Sequence, residues 1–154
     1  MKIQEYLESQ KVMFETREHP PAYTAQEVAA EEHVSGKMLA KTVVVRADDE
    51  YVLCVLPAHL KLDMEKVGFV RAAEQVYLAD ETDLAKLFPD VEVGAEPPFG
   101  NLYDLPTLVD SHLAEDDEIL FQAGTHRQAI RMRFEDYQRL VEPQIEDITI
   151  SMQP

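Results

Sequence analysis

The sequence of 154 residues has a single cysteine and only 14 Lys+Arg against 30 Asp+Glu, a formal charge of −16. Cys54 alone cannot form an internal disulfide, and there is no cysteine cluster to hold a metal. Scarce cations argue against a protein that coats nucleic acid, because phosphate contacts need local positive charge, and DNA is not expected as a partner. The cations that exist are grouped: Lys37, Lys41 and Arg46 stand close together, as do Arg127, Arg131 and Arg133. No apolar run approaches the ~20 residues of a membrane-spanning helix. Met1-Lys2-Ile3-Gln4-Glu5 carries charges from the start, so no signal peptide is visible and the cytoplasm is the expected location. Internal repeats, low-complexity segments and Gly/Ser linkers are missing, which points to one domain.

Familiar catalytic patterns are missing as well. There is no Gly-x-Gly-x-x-Gly or P-loop, so dinucleotide and P-loop phosphate chemistry have no support. His19, His33, His59, His112 and His126 show none of the paired spacings of a zinc site. No Gly-x-Ser-x-Gly elbow is present, and Cys54 falls inside an apolar run, where a cysteine acts as a small hydrophobe. Catalysis by a side-chain nucleophile is therefore not expected.

What is present reads as helices interspersed with short strands. Ile3, Tyr6 and Leu7 define a short amphipathic helix over 2–9. Val12-Met13-Phe14 reads as a strand ended by His19-Pro20-Pro21, and Thr24-Ala25-Gln26-Glu27 as a capping box opening a helix to about His33, closed by Ser35-Gly36. The β-branched runs 42–45 and 51–56 flank a polar turn and predict an antiparallel hairpin. Asp63 and Asp80 are candidate caps for helices over 64–68 and 81–88. Residues 94–100, with two glycines and two prolines, predict an irregular loop. Further strands are expected at 107–109, 119–121 and 129–132, and Phe134, Tyr137, Leu140 and Val141 share one face of a helix ended by Pro143. The last eleven residues, 144–154, read as a tail after a single domain over 1–143. The fold class is α/β or α+β with a mixed sheet.

Three features carry candidate chemistry. Lys41 precedes the valine strand with Thr42 beside it. In Gly94-Ala95-Glu96-Pro97-Pro98-Phe99-Gly100 the prolines fix φ and the glycines permit close backbone approach, so the loop can hold its remaining amides in a rigid array of the kind that stabilises an oxyanion. Gly124-Thr125-His126-Arg127 forms a tight turn between strands.

In this order and spacing, from His19-Pro20 to Pro143, the three features resemble the YbaK/prolyl-tRNA-synthetase-associated domain family of aminoacyl-tRNA deacylases. The resemblance implies a compact domain with a mixed, mostly antiparallel, barrel-like sheet flanked by helices. It also implies hydrolysis of the ester between a wrong amino acid and the 3′ adenosine of tRNA, with neither metal nor organic cofactor. Lys41 matches the essential lysine that positions the terminal nucleotide by its phosphate. Gly94 matches the loop glycine whose backbone lies against the substrate carbonyl and water. His126 falls where relatives line the amino-acid pocket, and Thr42, Pro98, Phe99, Gly100 and Gly124 belong to the same matched motifs as candidate substrate-binding residues. The implied partner is the 3′ end of aminoacyl-tRNA, with help from a synthetase as one answer to the charge of −16. Alanine, serine, threonine and cysteine are the implied side chains. The competing reading is a catalytically silent module that uses the same fold to hold a nucleotide-like ligand or a partner protein.

Overall fold

The computed structural model describes residues 2–19 and 38–150. The capping-box helix expected over 24–33 lies outside them. Two open sheets organise the described residues. The strands are β1 (Phe14–Glu18), β2 (Ala40–Ala47), β3 (Glu50–Pro57), β4 (Val76–Leu78), β5 (Thr107–Asp110), β6 (Glu118–Gln122), β7 (Gln128–Arg133) and β8 (Gln144–Glu146). One sheet has strand order β4-β2-β3-β5-β8, the other β1-β7-β6. Among the described residues four α-helices accompany them: α1 (Lys2–Ser9), α2 (Met64–Arg71), α3 (Glu81–Leu87) and α4 (Phe134–Val141). The mixed α/β class is as expected, but the sheets form no closed barrel among the described residues; a single parallel bridge, Leu39 to Leu120, joins them.

Strands β2 and β3 form the expected hairpin, with Thr42 opposite Val55 and Val43 opposite Cys54. The valine-rich run of β3 is explained by burial on both faces. Leu53 and Val55 enter the core between the sheets, while Val52 and Cys54 face a second cluster with Val67 of α2, Leu108 and Ile148. Cys54 is fully buried, and burial pushes its thiol up to about 12, so it stays an unreactive hydrophobe. The larger core joins Ala40, Val44, Ile119, Phe121, Ile130 and Met132 of the two sheets to Phe99 and to Phe134 and Tyr137 of α4.

The acidic caps form as their sequence suggests. Asp63 accepts the N–H groups of Glu65 and Lys66, and Asp80 forms a reciprocal capping box with Asp83. The first strand begins two residues later than expected and runs through charged Glu15, Arg17 and Glu18, a composition that protects a sheet edge from pairing with other chains.

Residues 144–150 are not a tail. Strand β8 pairs in parallel with β5, and Ile148 is buried. The fully buried Asp110 carboxylate accepts the Ile148 N–H at 3.0 Å and the Thr149 hydroxyl at 3.2 Å. These bonds satisfy a charge that would be costly to bury alone. The segment is too short and polar to announce a strand; pairing with β5 creates it.

Candidate active site

After the Leu39–Leu120 bridge, β2 and β6 run in the same direction but enter different sheets, so the chain forks there. A cleft of about 120 Å3 occupies this fork, lined by Leu39, Ala40, Lys41, Thr42, Gly94, Glu96 and Gln122. Three segments distant in sequence thus meet: the start of β2, the end of β6 and the Gly94 loop.

Lys41 is half-buried, and its ammonium is held below the usual lysine range by burial first and by the nearby Lys61 second. No carboxylate of the described residues forms a salt bridge with it. A desolvated cation without a counter-ion is a ready receptor for an anionic group.

The loop is stapled to the turn after β6. Gly124 N–H donates to the Ala95 carbonyl at 2.9 Å, and Glu92 N–H to the Gly124 carbonyl at 2.8 Å. His126 donates its backbone N–H to the Glu92 carboxylate at 2.7 Å, and its Nε2 meets the Val93 carbonyl at 2.8 Å. A carbonyl only accepts, so Nε2 carries the hydrogen. This places the ring behind Gly94, where a Cβ on that glycine would lie 3.3 Å from His126 Cε1. His126 supports the loop from behind and is not one of the residues that line the cleft.

The loop's amides are largely spent inside the loop. Gly94 N–H donates to Glu96 Oε1 at 3.0 Å, and Ala95 N–H to the Glu92 carbonyl at 3.0 Å. Pro97 and Pro98 have no N–H, and Phe99 N–H turns back to the Pro97 carbonyl at 2.8 Å. The loop therefore does not offer the amide array that its composition suggests. Glu96 is only 5% exposed, and burial raises its carboxyl above the usual range against the opposing pull of the Gly94 N–H.

Of the candidate residues, Lys41, Thr42 and Gly94 meet in the cleft, while Pro98, Phe99 and Gly100 anchor the loop in the core. Phe99 packs its ring 5.2 Å from Tyr137 and 5.5 Å from Phe121, and the Pro98 carbonyl accepts the buried Tyr137 hydroxyl at 2.7 Å. Gly100 starts a 3-10 turn where any Cβ would overlap the Leu105 carbonyl and the Thr107 hydroxyl. Gly124 takes a φ of 93°, which glycine tolerates, and fastens the turn to the loop.

Sequence reasoning missed Gln122. It lines the cleft, and its Oε1 is buried with no hydrogen-bond partner among the described residues. A buried acceptor left unpaired costs about 1–3 kcal/mol, so its presence needs a reason. Nothing in the sequence marks it, because its meaning depends on what β6 faces.

Other clusters are accounted for structurally. Ligand atoms of Asp110, His112 and Asp147 lie within 4.8 Å of one another. Asp110, however, is committed to Ile148, Thr149 and His112, and Asp147 to Lys66 and Thr149. A wider groove of about 620 Å3 beside α2 contains Asp63, Lys66 and Asp147, whose charges serve the helix cap and an ion pair. No described helix is long and apolar enough to cross a membrane.

Solved structures share this fold. A protein described as a candidate trans-editing enzyme for prolyl-tRNA synthetase superposes with a TM-score of 0.87 at 22% identity, covering 97% of this chain and 96% of that one. A hypothetical protein gives 0.89 at 18% identity, covering 97% and 100%. A chain used as a scaffold for computational epitope grafting gives 0.87 at 23% identity, covering 97% and 96%. At these identities the likeness establishes the fold alone. No curated protein sequence matches the chain. The model of the aminoacyl-tRNA editing domain matches residues 19–140, which include the β2 lysine, the Gly94 loop and the turn at His126. The chain belongs to the aminoacyl-tRNA editing domain family, hydrolases that act on mischarged aminoacyl-tRNA.

Proposed function

We propose that this chain is a trans-acting deacylase that removes a small amino acid, such as Ala, Ser, Thr or Cys, from the 3′ end of mischarged tRNA in the cytoplasm. The observation that carries this reading is the meeting of Lys41 and Gly94 in one small cleft. Lys41, desolvated and without a carboxylate partner among the described residues, receives a phosphate of the terminal nucleotide. Thr42 stands beside it as a hydroxyl contact. Gly94 brings bare backbone against the ester, where a side chain would obstruct it. Among the described residues no cysteine or serine lines the cleft, which suits attack by water assisted by the substrate's own ribose hydroxyl. Catalysis then rests on positioning and electrostatics. His126 acts through Gly94 as a positioning residue. The cleft volume of about 120 Å3 favours small side chains, because steric exclusion is the effective sieve against larger ones.

A charge of −16 opposes tRNA, so binding is weak and salt-sensitive or assisted by a synthetase that delivers the tRNA. The test is a deacylation panel over Ala-, Ser-, Thr-, Pro- and Cys-charged tRNAs, with Lys41→Ala beside the wild type. Hydrolysis of at least one small aminoacyl-tRNA is expected, reduced at least tenfold in Lys41→Ala, about 1.4 kcal/mol in barrier. Because Lys41 has no salt bridge to lose among the described residues, the variant's melting temperature should stay nearly unchanged. Absence of turnover on every tRNA would favour the silent binding module.

A further inference from the structure

Ester hydrolysis needs a hydrogen-bond donor where negative charge develops on the carbonyl oxygen. In this cleft the loop cannot readily supply it. Gly94 N–H is held by Glu96, Ala95 N–H by the Glu92 carbonyl and the Glu96 N–H by its own carboxylate, and Pro97 and Pro98 have none. Lys41 is assigned to the nucleotide phosphate. Among the described residues, the remaining side-chain nitrogen donor on the cleft wall is the Gln122 carboxamide. Its Oε1 is buried without a partner among the described residues, and no described residue accepts from its Nε2, so the amide N–H groups are uncommitted on a residue that lines the cleft.

We infer that Gln122 is a catalytic residue whose side-chain amide donates to the carbonyl oxygen of the aminoacyl ester and stabilises the oxyanion formed when water adds. This deepens the editing reading and rests on it. The position suits the task. Gln122 closes β6 opposite Ala129 of β7, so a strand of the sheet fixes its backbone, and a side-chain donor on a rigid element needs little reorganisation during reaction. Water adds to the carbonyl carbon and the C=O π pair moves to oxygen beside Nε2; collapse re-forms the C=O, breaks the ester C–O bond and expels the ribose oxygen, which takes the proton that the attacking water gives up. Gln122 gains and loses no proton in this cycle.

The chief alternative is that the amide accepts a hydrogen bond from the substrate's α-ammonium, with Glu96 beside it. The two roles separate chemically. Gln122→Glu keeps the shape and an acceptor but removes the donor; Gln122→Leu removes both. If Gln122 donates to the oxyanion, both variants lose kcat by roughly 10²-fold with little change in KM. They lose it equally on alanyl-tRNA and on lactyl-tRNA, in which a hydroxyl replaces the amine. Retained kcat in Gln122→Glu, or loss confined to alanyl-tRNA, would overturn the inference.

Binding supplies a readout independent of turnover. A phosphonate analogue of 3′-alanyl adenosine, tetrahedral and anionic, should bind both variants at least tenfold more weakly than wild type, while the planar amide analogue binds all three alike. If the wild type deacylates no tRNA yet phosphonate binding still depends on Gln122, the editing reading fails and the donor assignment stands. If all three proteins bind the phosphonate equally, or none binds it, the donor assignment fails. Melting temperatures within a few degrees of wild type confirm that the variants are folded.

Discussion

Replacing Gly94 by alanine probes the loop, its support and the chemistry together. Gly94 has a φ of 92°, and a left-handed conformation costs an L-residue roughly 1–2 kcal/mol. The added methyl would also lie 3.3 Å from His126 Cε1. That ring is pinned by its Nε2 bond to the Val93 carbonyl and by its backbone bond to Glu92, so it yields only by loosening a hydrogen bond worth about 0.5–1.5 kcal/mol. Together these terms predict a destabilisation of about 2–3 kcal/mol, a fall in Tm of roughly 4–12 °C for a domain of this size. A displacement of the loop by about 1 Å would cost near 10²-fold in kcat/KM. The assay pairs thermal melting with single-turnover deacylation well below the Tm, for Gly94→Ala, His126→Ala and the double variant. Removing the ring should relieve the methyl contact but not the backbone strain, so the cycle should show a coupling of about 1 kcal/mol. An unchanged Tm with normal turnover in Gly94→Ala would refute both the strain and the catalytic placement. Additive effects in the cycle would refute the contact alone.

Two other outcomes follow from the burial pattern. Phe99→Ala empties the ring from a core shared with Tyr6, Phe121 and Tyr137 and should cost about 3–5 kcal/mol by urea denaturation, whereas Phe99→Leu should keep most activity because Phe99 does not line the cleft. Loss of activity in a stable Phe99→Leu protein would place that ring in the site after all. Glu96 binds a proton more readily folded than unfolded because it is buried. Its contribution to stability therefore falls as pH rises from its ordinary value of 4.5 through its raised folded value. Glu96→Gln, which can still accept the Gly94 N–H, should flatten that decline and raise stability at neutral pH; an identical pH profile in the two proteins would show that Glu96 ionises without cost.

Much of the architecture is determined locally. The apolar spacing of α1 and α4, the aspartate caps of α2 and α3, and the β-branched hairpin β2–β3 all follow from short-range rules that neighbouring residues satisfy by themselves. The Gly/Pro composition of 94–100 likewise dictates an irregular loop, since prolines cannot donate to a ladder. The order of Lys41, the Gly94 loop and the Gly124 turn marks the family before any coordinates exist.

Tertiary structure decided the rest, because it depends on which distant segments face each other. Strand β8 exists only because β5 offers it an edge and Asp110 offers it acceptors. That the loop spends its amides on its own Glu96 and Glu92 is a matter of geometry that composition does not encode. Phe99 and Gly100, adjacent to the cleft in sequence, turn into the core, while Gln122, unmarked in sequence, is carried to the cleft by the fork between β2 and β6. A motif in one dimension names residues that travel together along the chain. Only the fork of the two sheets determines which side chains share a wall, and so which atoms can meet an ester.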